Sequence, residues 1–155
     1  MADLITLKKK TIAIVIAAVV VVAAITVALS SVLFSGPKVP NVKFVTFNTE
    51  GKQTLKENQQ KEIAFKIKNF ESYDVRNARV LTTLQGDPKF FVMTNDDITI
   101  TPAIAGPNGE TRDFTVTIMG VNLNGQQAIE DKIAVTLYVG ADVTDKREFE
   151  IRLEK

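Results

Sequence analysis

The 155-residue chain contains no cysteine, no histidine and no tryptophan. Without cysteine there is no disulfide to staple a small domain and no thiolate nucleophile, so any core must hold by packing alone. Without histidine the commonest general base and the commonest metal ligand are missing, which removes Ser-His-Asp triads and ordinary zinc sites as readings. Catalysis would fall to carboxylates, lysines and hydroxyls, and the chain is read as a non-enzyme with no cofactor. An excess of one charge is lacking too: Lys and Arg total 19 against 18 Asp and Glu. Setting aside Lys8, Lys9, Lys10 and Asp3, the remainder has a net charge of −1, which supplies no basic field for nucleic acid. No N-x-[ST] sequon is present.

What the chain does have is a run from Thr11 to Phe34 without a charged residue, directly behind Lys8, Lys9 and Lys10. At about 1.5 Å per residue, such a run is long enough as a helix to cross a hydrocarbon core of about 30 Å. A cleaved secretory signal begins in the same way, but its apolar region is only about 7 to 15 residues long, so a retained signal anchor is expected. Lysines stay on the cytoplasmic side. Residues 1–10 are therefore read as a short basic cytoplasmic tail, with Lys8, Lys9 and Lys10 as the topology signal, and 11–34 as a single-pass transmembrane helix. The run carries Ala17, Ala18, Ala23, Ala24 and Ala28 but no GxxxG, so it reads mainly as an anchor and only secondarily as an association surface. Residues 35–40 hold Gly36, Pro37 and Pro40, a short stiff stalk that no helix continues through. Residues 41–155 then form one extracytoplasmic domain of ordinary size.

Within that domain apolar residues recur with period two, the spacing of a strand with one dry face and one wet face. Ile63, Phe65 and Ile67 alternate with Ala64, Lys66 and Lys68; further rows are Ala78-Val80-Thr82-Leu84, Ile98-Ile100, Phe114-Val116-Ile118, Ile133-Val135-Leu137-Val139 and Phe149-Ile151-Leu153. Turn-forming clusters separate them, among them Asn69-Phe70-Glu71-Ser72, Gly106-Pro107-Asn108-Gly109 and Gly140-Ala141-Asp142. With an opening strand around 41–48, the count is seven or eight strands and no helix. An all-β, immunoglobulin-like antiparallel β-sandwich is expected, preceded by the N-terminal transmembrane α-helix.

The stretch Lys61 to Asn69, followed by Val75-Arg76-Asn77-Ala78-Arg79-Val80, resembles the second and third strands of CARDB-like immunoglobulin-fold modules, where a V-x-V-x-N strand end precedes a V-x-N-V-x-V strand. Ile104 to Thr111 leading into Phe114-Thr115-Val116 is similar to the L-x-P-G-E-T turn of the same modules, with one extra residue between Pro107 and Gly109. The resemblance implies a fold more than a task. An apolar helix followed by one sandwich is also similar in layout to archaeal pilins, archaellins and archaellum stator proteins. Lys9-Lys10-Thr11 lacks the glycine of the pilin processing site. The two resemblances together imply a membrane-anchored prokaryotic, archaeal cell-surface protein.

Candidate sites are few. Asp96 and Asp97, Glu130 with Asp131, and Asp142 with Asp145 are acidic spots at expected loops, where oxygen ligands for calcium could gather; Asp and Asn also simply make turns, and only Asp96 and Asp97 are kept as calcium candidates. Leu81 and Tyr138 interrupt otherwise polar faces, and Tyr73, Met119 and Val121 would extend such a patch if the sheets bring them together. These five are the expected partner surface. The function expected is a non-catalytic, membrane-anchored module acting through protein contacts as an accessory or assembly subunit. The expected partners are the lipid bilayer and other membrane or cell-surface proteins, with no nucleic acid. The alternatives are a surface-polymer or carbohydrate-binding module, made poorer by having only Tyr73 and Tyr138 beyond phenylalanine for an aromatic platform, and a pilin-like or stator-like filament component.

Overall fold

The computed structural model describes residues 38–155. The expected tail with Lys8, Lys9 and Lys10, the expected transmembrane helix and the first part of the stalk lie outside the described residues. Among the described residues no helix is long and apolar enough to cross a membrane.

The alternating rows become strands, and their parity becomes the division between core and surface. The strands are β1 (Val42–Phe47), β2 (Lys52–Lys56), β3 (Gln60–Asn69), β4 (Ala78–Leu84), β5 (Phe91–Thr94), β6 (Asp97–Thr99), β7 (Phe114–Gly120), β8 (Ala128–Val139) and β9 (Asp142–Glu154). They make a four-stranded sheet in the order β1-β3-β7-β5 and a five-stranded sheet in the order β2-β9-β8-β4-β6. This all-β, two-sheet arrangement is consistent with an immunoglobulin-like sandwich. All pairings are antiparallel except β2 with β9, which is parallel.

Nine strands form where seven or eight were expected, because two edge strands carry almost no pattern. In β2 only Leu55 is buried, while Lys52, Thr54 and Lys56 face out; lysines on an edge also discourage pairing with another chain. β5 has four residues and follows a 3₁₀ turn, Pro88–Phe90, capped by the Asp87 carboxylate accepting from the Lys89 N–H at 3.1 Å. Its Phe91, Val92 and Met93 are consecutive apolar residues, so the amino-acid order shows no alternation there.

The core lies between the sheets. Phe65, Ile63, Ile67, Val116 and Ile118 from the four-stranded sheet meet Val80, Ile133, Val135, Leu137, Ile151 and Leu153 from the five-stranded sheet, all fully buried. A phenylalanine cluster bridges them. Phe65 meets Phe44 edge-on at 5.3 Å and stacks with Phe114 at 6.1 Å, while Phe47 reaches Phe149 of the facing sheet at 6.4 Å. Such pairs add about 0.5 to 1.5 kcal/mol each beyond burial.

The chain enters at Asn41, beside the end of β3: Val42 pairs with Asn69, and the Phe70 N–H donates to the Asn41 carbonyl at 2.9 Å. We refer to this as the proximal end. The connection 70–77, the connection 100–113 and the β8–β9 hairpin all lie there, since Val75 bridges Ile104 and the Gly140 N–H donates to the Asn77 carbonyl. Gly140, at φ +62°, makes the tight hairpin turn that a side chain would strain. The β2–β3 turn, the β7–β8 connection and the end of β9 occupy the distal end.

Asn69 holds the proximal end together. It is fully buried, its Nδ2 donates to the carbonyls of Tyr73 at 2.7 Å and Ile104 at 3.0 Å, and its Oδ1 accepts the Glu71 N–H at 2.9 Å. One amide thereby fastens two loops to the end of a strand, with all three of these contacts satisfied.

Candidate partner surface

Outward positions of the five-stranded sheet divide into two regions. Toward the distal side stands a charge ladder: the Glu130 carboxylate takes Lys52 Nζ at 2.6 Å from β2 and Arg152 Nη1 at 2.9 Å from β9. The Lys52 hydrogen bond, followed by Arg152, holds the Glu130 carboxyl below its ordinary range. Lys146 does the same for Glu148. Exposed pairs of this kind contribute little to stability but keep the face solvated.

Toward the proximal side the same face turns apolar. The register sets Leu81 opposite Thr136 and Arg79 opposite Tyr138, so Leu81, Thr136 and Tyr138 share the outer surface of β4 and β8. Ala134 and Thr136 also point outward, yet they are only 3% and 8% exposed; Leu81 and Tyr138 are half-buried. The outer face expected to be wet except at Leu81 and Tyr138 is drier than that, because small side chains in a central strand are covered by the longer ones beside them. Arg79 borders the strip and forks onto Asp97, with Nε to Oδ1 at 2.6 Å and Nη2 to Oδ2. That hydrogen-bonded pair lowers the Asp97 pKa and raises that of Arg79.

The five expected surface residues are not gathered into one patch. Leu81 and Tyr138 share the five-stranded face. Met119 lies on the opposite face, between Gln60 of β3 and Val92 of β5. Val121 follows β7 at the distal end, where its N–H donates to the Phe90 carbonyl, and Tyr73 stands on the proximal loop, 53% exposed. Sequence reasoning missed Phe70, Val92 and Val143, all large and exposed. Phe70 sits inside a turn cluster, and an aromatic ring among turn formers is the signal that could have found it.

In each acidic spot at least one carboxylate has a protein partner. The Asp97 carboxylate is taken by Arg79, and Asp96 offers its backbone carbonyl to the Thr82 N–H at 2.7 Å. Asp131 accepts the Lys132 N–H at 2.6 Å. Asp145 reaches across to the other sheet and accepts the Phe44 N–H at 3.0 Å, beside the bulge between Phe44 and Thr46 that disrupts the β1 ladder. No group of three or more acidic, histidine or cysteine side chains that could hold a metal occurs among the described residues. A surface hollow of about 290 Å³ between 100–104 and 110–114 contains the ionisable pair Glu110 and Arg112. Glu110 is engaged by Lys68 at 3.3 Å and Arg112 lies 5.5 Å from the Phe114 ring.

No protein-family model and no curated protein matches the chain. Among solved structures it is similar to the periplasmic chaperone SfaE (10% identity, TM-score 0.47), covering 73% of this chain and 56% of that one. It thus spans little more than half the length of that chaperone. It is also similar to the CARDB domain of a Pyrococcus furiosus protein in complex with di-metal ions (14% identity, TM-score 0.48, covering 77% of this chain and 96% of that one). The E. coli chaperone DraB is similar at 12% identity and a TM-score of 0.45, with 75% and 55% covered.

Proposed function

We propose that this chain is a non-catalytic, membrane-anchored module that holds its β-sandwich on the extracytoplasmic side of a cell membrane and acts through protein contacts as an accessory or assembly subunit. The anchoring rests on the charge-free run Thr11 to Phe34 behind the lysine triplet. The observation that carries the contact role is the strip of Leu81, Thr136 and Tyr138. It is an ordered, largely apolar surface on a central strand pair, bordered by the Arg79–Asp97 pair and continued by the Glu130 charge ladder. An apolar centre with a charged rim is the usual anatomy of a protein interface.

Two measurements test the two halves. A cysteine placed at Gln126 or Gln127, exposed on the distal β7–β8 connection of a chain that has none of its own, should react with an impermeant thiol reagent on intact cells. Protection of both until lysis would overturn the orientation. A photo-crosslinker at Leu81 or Tyr138 in the full chain should capture a discrete membrane or surface protein, and the same group at Thr117 on the opposite sheet should not. Equal capture from both faces would remove the strip as the contact surface.

A further inference from the structure

Six large hydrophobic residues are exposed among the described residues, and they are unevenly distributed. Val39, Phe70, Tyr73 and Val143 lie at the proximal end, Val45 on the edge strand β1, and only Val92 toward the distal end. Both exposed aromatic rings are therefore on the end by which the chain enters. We propose that the proximal end is a lipid-contact surface, with Phe70 and Tyr73 seated at the headgroup boundary of the bilayer in which the chain's own apolar run is anchored; this rests on the anchoring read above.

Chain length supplies the first support. Phe34 closes the apolar run and Asn41 opens the sandwich, and the residues between them can span at most about 25 Å even when fully extended. The ten residues of β3, at about 3.3 Å each, separate the distal end from the point of attachment by about 30 Å. The proximal end is thus the part of the domain that the tether keeps within reach of headgroups.

The second support is how the rings are presented. The loop bearing them is buttressed: Asn69 binds the Tyr73 and Ile104 carbonyls, and Glu71 Oε1 accepts the Asn41 N–H at 2.7 Å. Gly106 packs so closely beneath Tyr73 that a Cβ there would meet its backbone at 2.5 Å. Two aromatic side chains held outward by a rigid loop lose little conformational freedom on contact. Tyrosine, with an apolar body and a polar tip, suits the membrane interface. Lys68 flanks the Phe70 ring, its Nζ 5.6 Å from the ring centre and 3.3 Å from the Glu110 carboxylate. Charge does not drive the contact, since Lys43, Lys68, Arg76 and Arg112 at this end are outnumbered by Glu71, Asp74, Glu110, Asp113 and Asp142. Ring burial does.

The absence of tryptophan makes the test clean. Full-length Phe70→Trp, Tyr73→Trp and, as the distal control, Val92→Trp would each be reconstituted into phosphatidylcholine vesicles with and without lipids brominated high on the acyl chain. Vesicle flotation and alkaline extraction would report anchoring separately. With the chain anchored, the two proximal reporters should emit to the blue of Val92→Trp and be quenched about twofold more strongly, with little change at high salt. Quenching no greater than that of Val92→Trp in a chain that floats and resists extraction would overturn the lipid contact while leaving the anchor standing. A chain that fails to float would overturn both. Quenching that needs added phosphatidylglycerol and vanishes at high salt would overturn contact through the rings in favour of a charge contact.

Discussion

The buried Asn69 amide offers the sharpest test of how this sandwich is assembled. Replacing Asn69 with Ala removes three hydrogen bonds at once, to Tyr73, Ile104 and Glu71. The Ile104 carbonyl keeps its bond from the Val75 N–H at 2.9 Å, whereas the Tyr73 carbonyl and the Glu71 N–H lose the bonds that Asn69 gives them. At a net 0.5 to 1.5 kcal/mol per bond, plus a small cavity, the loss should come to about 2 to 4 kcal/mol. Urea unfolding of the 39–155 fragment would measure it, and hydrogen exchange should show protection falling first in 70–77 and 104–109. Asn69→Asp sharpens the test. It keeps the acceptor for Glu71 but sets a carboxylate oxygen against two carbonyls, so at neutral pH it should cost more than Ala. Its folded-state pKa must then be raised above the unfolded value, so the folded state binds the extra proton and the variant regains stability as pH falls through that window. An Ala variant within about 0.5 kcal/mol of wild type, or an Asp variant whose stability tracks the wild type with pH, would refute the view that this amide staples the two loops.

Three further outcomes are expected. Truncating Phe65, Val116, Val135 or Ile151, all fully buried, to Ala should cost about 2 to 5 kcal/mol by denaturant unfolding, while Lys66, Thr115 and Arg152 should tolerate Ala within about 1 kcal/mol; equal effects would mean the registers are wrong. Thr82 points into the core with its buried Oγ1 unpaired, so the isosteric Thr82→Val should raise stability by about 1 kcal/mol, and a loss would show that the hydroxyl has a partner. The Asp97 carboxyl, held down by its hydrogen bonds from Arg79, should titrate by NMR below the ordinary aspartate range and return to it in Arg79→Met. Because its folded pKa is depressed, whatever stability the pair contributes is present above the unfolded aspartate pKa and lost as pH falls through the folded one.

Strand parity was legible in the amino-acid order because a pleated strand alternates its side chains whatever it packs against. Phe65, Val116, Val135 and Ile151 could therefore be assigned to one core before any coordinates, and the missing cysteine and histidine already told how that core could not be held. Other features depend on which strands become neighbours, and period two carries no such information. β2 and β5 owe their existence to the edges they complete, since Lys52–Lys56 and Phe91–Thr94 hold too few buried residues to announce themselves. Leu81 and Tyr138 share a surface only because β4 pairs with β8, and Met119 is parted from them because β7 belongs to the other sheet. Asn69 reads in the sequence as a turn residue; it becomes a buried clasp because a loop 35 residues farther along the chain closes over it. Local spacing decides which way each side chain points, and only the folded arrangement of both sheets decides what it meets there.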